Sequence, residues 1–137
     1  MALEYLHRVP KLQPATCQGL MAKEYWYRGN LRGDAGVLFL KLSDTPWHRF
    51  FIDSGAIFWK TVSEPDPPEE FEEYRYALAD IGRAHGLIGR KLTKVTPVEF
   101  PGGGEIRLEF GFGDVTLVLR NLDCRSTLVI ERRETAR

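Results

Sequence analysis

The chain has little of what usually announces a chemistry. Its 137 residues hold two cysteines, Cys17 and Cys124, far apart and outside any CxxC or Cys/His cluster, so neither a disulfide framework nor a zinc site is written into it. Free thiols in a reducing compartment are the expectation. The three histidines, His7, His48 and His85, form no HxH or HExxH frame. Neither charge is in excess: nineteen basic and nineteen acidic side chains cancel, which removes the broad positive field of a non-specific nucleic-acid binder. No run approaches the ~18 apolar residues of a membrane span. The opening MALEYLHRVP carries Glu4, His7 and Arg8 where a secretion signal needs an unbroken apolar stretch. A soluble cytoplasmic protein is therefore expected, with no cofactor, no metal, no membrane contact and no nucleic-acid partner.

Nucleophiles and phosphate cradles are missing in the same way. Ser54 lies in Asp53-Ser54-Gly55, a turn without the flanking glycines or the strand-to-helix elbow of a hydrolase serine. Gly102-Gly103-Gly104 precedes another strand-like run, EIRLEFGF, so no helix N-terminus waits there for an anion. Glu69, Glu70, Glu72 and Glu73 read as a solvated acidic run, and Arg32-Gly33-Asp34 as part of a polar loop over Gly29 to Gly36. No catalytic residue is expected.

What the chain does have is aromatic surface and alternation. Composition and length suit one α+β domain over residues 1–137, with 43% hydrophobic and 28% charged residues. Trp47 to Val62 reads as a β-hairpin turning at Ser54-Gly55, a register that places Ile52 opposite Ile57, Phe50 opposite Trp59 and His48 opposite Thr61. Earlier, Ala2 to Val9 reads as a short strand and Leu20 to Arg28 as another. Within the latter, Trp26 points away from Tyr25 and Tyr27. Val37 to Leu42 has Leu38, Leu40 and Leu42 on one face and Val37, Phe39 and Lys41 on the other, so both sides look covered.

At Ser63 to Pro68 the pattern predicts a change of period. Asp66 as N-cap, two prolines in a first turn, and Phe71, Tyr74, Leu78, Ile81 and His85 at helical spacing predict an amphipathic helix from Pro67 to His85, closed by Gly86. From Leu92 the period is two. Val98 and Phe100, then Ile106, Leu108 and Phe110, then Val115, Leu117 and Leu119 share one face of a meander, with Glu99 opposite Arg107 outside. Asn121-Leu122-Asp123 turns into a last strand, Arg125 to Glu131, with Leu128 and Ile130 inward, and a frayed tail follows. The expected architecture is a curved, largely antiparallel sheet or open barrel of about seven or eight strands with that helix packed against it.

Such a fold leaves aromatic residues over. Tyr25, Trp26, Tyr27 and Arg28, together with Trp47, His48 and Arg49, combine the residue types that dominate binding interfaces, and they form the candidate binding surface. The expected partner is another protein or a second copy. The alternative is a small-ligand binder or enzyme in which His48, Arg49 and Asp53 supply the polar groups of a pocket. In size and layout, with its WHRFFID hairpin and late meander, the chain resembles small bacterial proteins that include toxin-neutralising immunity proteins. That likeness implies protein binding and assigns no residue.

Overall fold

The computed structural model describes residues 4–6, 12–100, 102, 104–123 and 125–132. Among them, strands account for 69% and helix for 3%, arranged as two antiparallel sheets. The larger sheet is built from β1 (Glu4–Leu6), β2 (Ala15–Tyr27), β3 (Asn30–Leu42), β4 (Trp47–Asp53), β5 (Ala56–Val62), β6 (Glu69–Glu70) and β7 (Tyr74–Asp80), in the spatial order β1-β5-β4-β3-β2-β7-β6. One helical turn, α1 (Ile81–Ala84), leads to β8 (Lys91–Leu92), which pairs with the start of β2. The smaller sheet is a meander of β9 (Lys94–Glu99), β10 (Glu105–Phe112), β11 (Val115–Leu122) and β12 (Arg125–Arg132).

The two sheets share one core. Leu20 and Ala22 of β2, Leu38, Leu40 and Leu42 of β3, and Phe50 and Ile52 of β4 meet Leu108, Phe110, Val115, Leu117 and Leu119 of the meander. At its centre Phe50 and Phe110 make an edge-to-face contact, ring centroids 5.2 Å apart at 77°. This geometry sets the positive edge of one ring on the negative face of the other.

The hairpin has the expected register at every pair, including Ile52–Ile57, Phe50–Trp59 and His48–Thr61. Ser54 (φ 51°) and Gly55 (φ 75°) form the two-residue left-handed turn that suits strand twist. The last strand carries Leu128 and Ile130 against the core as expected. Of the N-terminal strand only Glu4–Leu6 is described, paired with β5. His7, Cys124 and the tail from residue 133 lie outside the described residues.

The helix from Pro67 to His85 does not exist, and with it goes the α+β assignment: no helix of seven or more residues occurs among the described residues. Tyr74, Tyr76, Leu78 and Asp80 satisfy a period of two as well as Phe71, Tyr74, Leu78 and Ile81 satisfy 3.6. Tertiary pairing chooses between the two periods. Running as β7, the segment supplies the partner that the long β2 edge needs, with Ala79 opposite Ala22, Leu78 opposite Lys23, Tyr76 opposite Tyr25 and Tyr74 opposite Tyr27. A genuine cap sits further on, where the Asp80 carboxylate accepts from the Arg83 N–H at 3.1 Å and His85 closes the single turn.

Asp66 has a different task from the expected cap. Its segment crosses the sheet's outer face on the way from β5 to β7, and the carboxylate meets Lys23 Nζ at 3.1 Å and the Arg49 guanidinium at 3.7 Å. Between those two cations lies β3, whose Phe39 is fully buried on the side away from the core. The strap explains why β3 is apolar on both faces.

Two further expectations shift. The Gly29–Gly36 loop is strand: the chain turns in two residues at Arg28 (φ 48°) and Gly29 (φ 78°), then returns at once as β3, carrying Arg32-Gly33-Asp34 with it. Irregularities in the β2–β3 ladder between Lys23 and Trp26 absorb the extra residues. In the meander, Glu99 pairs with Ile106 and Val98 with Arg107, one residue away from the predicted register. VTPVEF is apolar in both phases, and the core takes Val95, opposite Phe110, and Pro97, opposite Leu108. Pro97 is accommodated because β9 is an edge strand. Phe100 is left outside beneath the Arg107 guanidinium, 4.8 Å from its ring.

Replacing Phe110 by Ala is expected to cost ~3–5 kcal/mol, read as a lowered urea midpoint. With Phe50→Ala added, the two losses are expected to fall short of their sum by about 0.5–1.5 kcal/mol in a double-mutant cycle, because the rings stabilise each other.

Candidate functional site

The β2–β7 pairing decides which aromatic residues reach the surface. Because the ladder is regular here, Tyr25 and Tyr27 on β2 share the outer face with Tyr74 and Tyr76 on β7. Tyr25 lies 5.4 Å from Tyr76 and 6.2 Å from Tyr74, and Phe71 stacks on Tyr74 at 4.7 Å. Phe71 (46%) and Tyr74 (39%) are among the most exposed large apolar side chains of the described chain.

Cations edge this ring cluster. Lys23 Nζ lies 4.8 Å from the Tyr76 ring, while the Arg28 and Arg32 guanidiniums lie 5.3 and 5.9 Å from Tyr27. Arg28 also holds Glu73 at 2.7 Å, and the Tyr27 hydroxyl donates to the same carboxylate at 3.4 Å. These contacts fix the β2–β3 turn against the segment leading into β7.

The structure separates the residues singled out from sequence. Tyr25, Tyr27 and Arg28 belong to the cluster. Trp26 points to the other face, as its alternation requires, where its indole N–H donates to Glu24 at 3.0 Å and Arg75 lies 4.6 Å from its ring. Trp47 is two strands away, its ring over Gly19: a Cβ there would lie 2.4 Å from the indole tip. Arg49 is engaged by Asp66 on the strap and lies 5.0 Å from the Phe51 ring. Tyr76 is among the surplus aromatics that the sequence shows, whereas Phe71 and Tyr74 fall on the packed face of the expected helix and Arg32 in an expected loop, so alternation alone does not single them out.

His48 faces the core and is 4% exposed. Its Nδ1 accepts from the Trp59 indole N–H at 3.0 Å, so the neutral ring carries its hydrogen on Nε2, which has no described partner. Burial, followed by the nearby Lys41 charge, lowers its pKa from 6.5. Protonation would also turn a hydrogen on Nδ1 toward the Trp59 N–H. Its described ring contacts are with Trp59 and Phe50, and no carboxylate is among them. Cys17 is buried as well, its thiol pushed up to about 11 mainly by desolvation. It stays protonated at neutral pH and is a poor nucleophile.

Among the described residues no group of three or more His, Cys, Asp or Glu side chains is placed to hold a metal, and no helix is long and apolar enough to cross a membrane. Compared with known proteins, the chain matches no family model, no curated protein and no solved structure. The likeness to immunity proteins gains no support from them.

Because the His48 pKa is lower folded than unfolded, the unfolded chain binds this proton more readily. Stability is then full above pH 6.5 and falls as the pH drops below it. Denaturant midpoints at pH 7.5 and 5.5 are expected to differ in that direction, and by less in His48→Gln. Alkylation with iodoacetamide followed by peptide mapping is expected to leave Cys17 unmodified in the native protein and label it once denaturant is added.

Proposed function

We propose that this is a non-enzymatic, soluble cytoplasmic binding protein that works by protein–protein contact through the outer tyrosine face of β2 and β7, and that the occupant of that face is a second copy of the chain. The observation that carries the reading is the ring cluster of Tyr25, Tyr27, Phe71, Tyr74 and Tyr76, outside the core and beside guanidinium groups, in which Phe71 and Tyr74 are exposed and the other three half-buried. Rings that already pack on one another lose little freedom when covered.

Charge favours a copy of the same surface. The patch carries both signs: Arg28 pairs with Glu73 at 2.7 Å and lines one cavity with Glu70 and Glu72, while Arg32 lies beside Tyr27. A two-fold contact can set the cations of one copy against the acids of the other, so one patch carrying both signs is able to complement itself.

Sedimentation equilibrium across a concentration series tests the reading. Reversible dimerisation is expected for the unaltered chain, and Phe71→Ser with Tyr74→Ser is expected to weaken it at least tenfold, about 1.4 kcal/mol. A chain that stays monomeric to millimolar concentration, or a dimer indifferent to both substitutions, overturns the proposal.

A further inference from the structure

The seam where β3 leaves β4 holds a second feature, which shares Tyr25 and Arg32 with the tyrosine face. The β3–β4 ladder runs only from Lys41–Trp47 to Leu38–Phe50, so Phe51, Ile52 and Asp53 continue past its end. Here the irregular first half of β3 bends away, and β12 comes alongside it with no described ladder between them. The opening is a cleft of about 420 Å³, within the range of small-ligand sites.

Its lining is specific in chemistry. Gly33 and Gly36 form one wall, and no side-chain atom lies within 4 Å of where their Cβ atoms would be, so a ligand can approach the backbone closely. Tyr25 and Phe51 line it as well, the Phe51 ring already stacked on Phe58 at 4.8 Å and Tyr25 packed 5.4 Å from Tyr76, so each offers only its remaining surface. Arg32 and Arg125 both line the cleft, and neither has a described carboxylate within ion-pair distance. One acid, Asp53, also lines it and accepts from the Ser54 hydroxyl at 3.4 Å. Two cations stand against one anion in the cleft itself, and Asp34 beside the same two arginines makes the charges of the wider region equal. Asp34 belongs to a smaller neighbouring cavity of about 170 Å³ that both arginines share.

We infer that this cleft binds a small planar aromatic oxyanion, its ring against Tyr25 and Phe51 and its charged oxygens taken by the Arg32 and Arg125 guanidiniums. The planar fork of arginine pairs with two oxygens at once, which suits phosphate and carboxylate alike. A flat ring fits between aromatic surfaces where a bare inorganic ion gains nothing.

The test uses the full chain labelled with ¹⁵N and four probes: phenyl phosphate, benzoate, benzyl alcohol and inorganic phosphate. Phenyl phosphate or benzoate is expected to shift the amides of Gly33, Gly36 and Asp53, and whichever binds more tightly identifies the oxyanion. Arg32→Gln and Arg125→Gln are each expected to weaken that probe at least tenfold while the spectrum stays dispersed. If either glutamine variant loses its fold, Arg32→Lys and Arg125→Lys replace it and are expected to weaken the probe severalfold, since charge is kept and the fork lost. No shift at the cleft up to about 10 mM of either aromatic anion overturns the inference. So does equal binding of benzyl alcohol or inorganic phosphate, or full affinity in folded arginine variants. Because Tyr25 and Arg32 also border the tyrosine face, the titration is repeated in the chain carrying Phe71→Ser with Tyr74→Ser, so that cleft binding and dimerisation are read separately.

Discussion

The contact between Phe50 and Phe110 is where the two sheets become one molecule. A half-buried sheet has a single apolar side to dispose of, and each of these sheets uses the other to cover it. Once Phe50 points inward, the alternation of β4 sends His48 and Ile52 inward and Arg49, Phe51 and Asp53 outward. The burial of a histidine thus follows from the row it stands in. It is accommodated as a neutral ring because Trp59, on the next strand, supplies a donor to Nδ1.

The outer face of the larger sheet is divided by the crossing from β5 to β7. Asp66, held between Lys23 and Arg49, fastens that crossing over Phe39 and closes a small second layer there. Strand β2 continues beyond it, and its partner β7 brings tyrosines to stand beside Tyr25 and Tyr27. The candidate surface is therefore the stretch of sheet that the strap leaves bare. The cleft beside it has a related origin, since β3 cannot follow both the twist of β2 and the end of β4 once extra residues enter its ladder.

Legibility in the sequence tracked how local the deciding interaction was. The β4–β5 register could be read because a Ser-Gly turn joins its strands and every opposite pair lies within sixteen residues of chain. That Trp26 faces away from Tyr25 and Tyr27, and that Leu128 and Ile130 face inward, followed from alternation alone. Where two periods or two phases fitted equally, distant partners decided. Tyr74 to Asp80 became strand because β2 lay open beside it, and Val95 and Pro97 displaced Val98 and Phe100 because Phe110 and Leu108 stood opposite. Arg32 entered the picture only when the expected loop proved to be strand.

By itself, then, the chain determined its β4–β5 hairpin and the inward and outward residues of each unambiguous strand. Those are set by the steric alternation of extended backbone and by two-residue turns, which need no distant partner. Tertiary structure alone decided that residues 67–85 extend, that Asp66 straps the sheet, and that four tyrosines come together on one face. Each of those outcomes depends on hydrogen bonds or ion pairs between segments tens of residues apart, and local propensity is too weak to anticipate them.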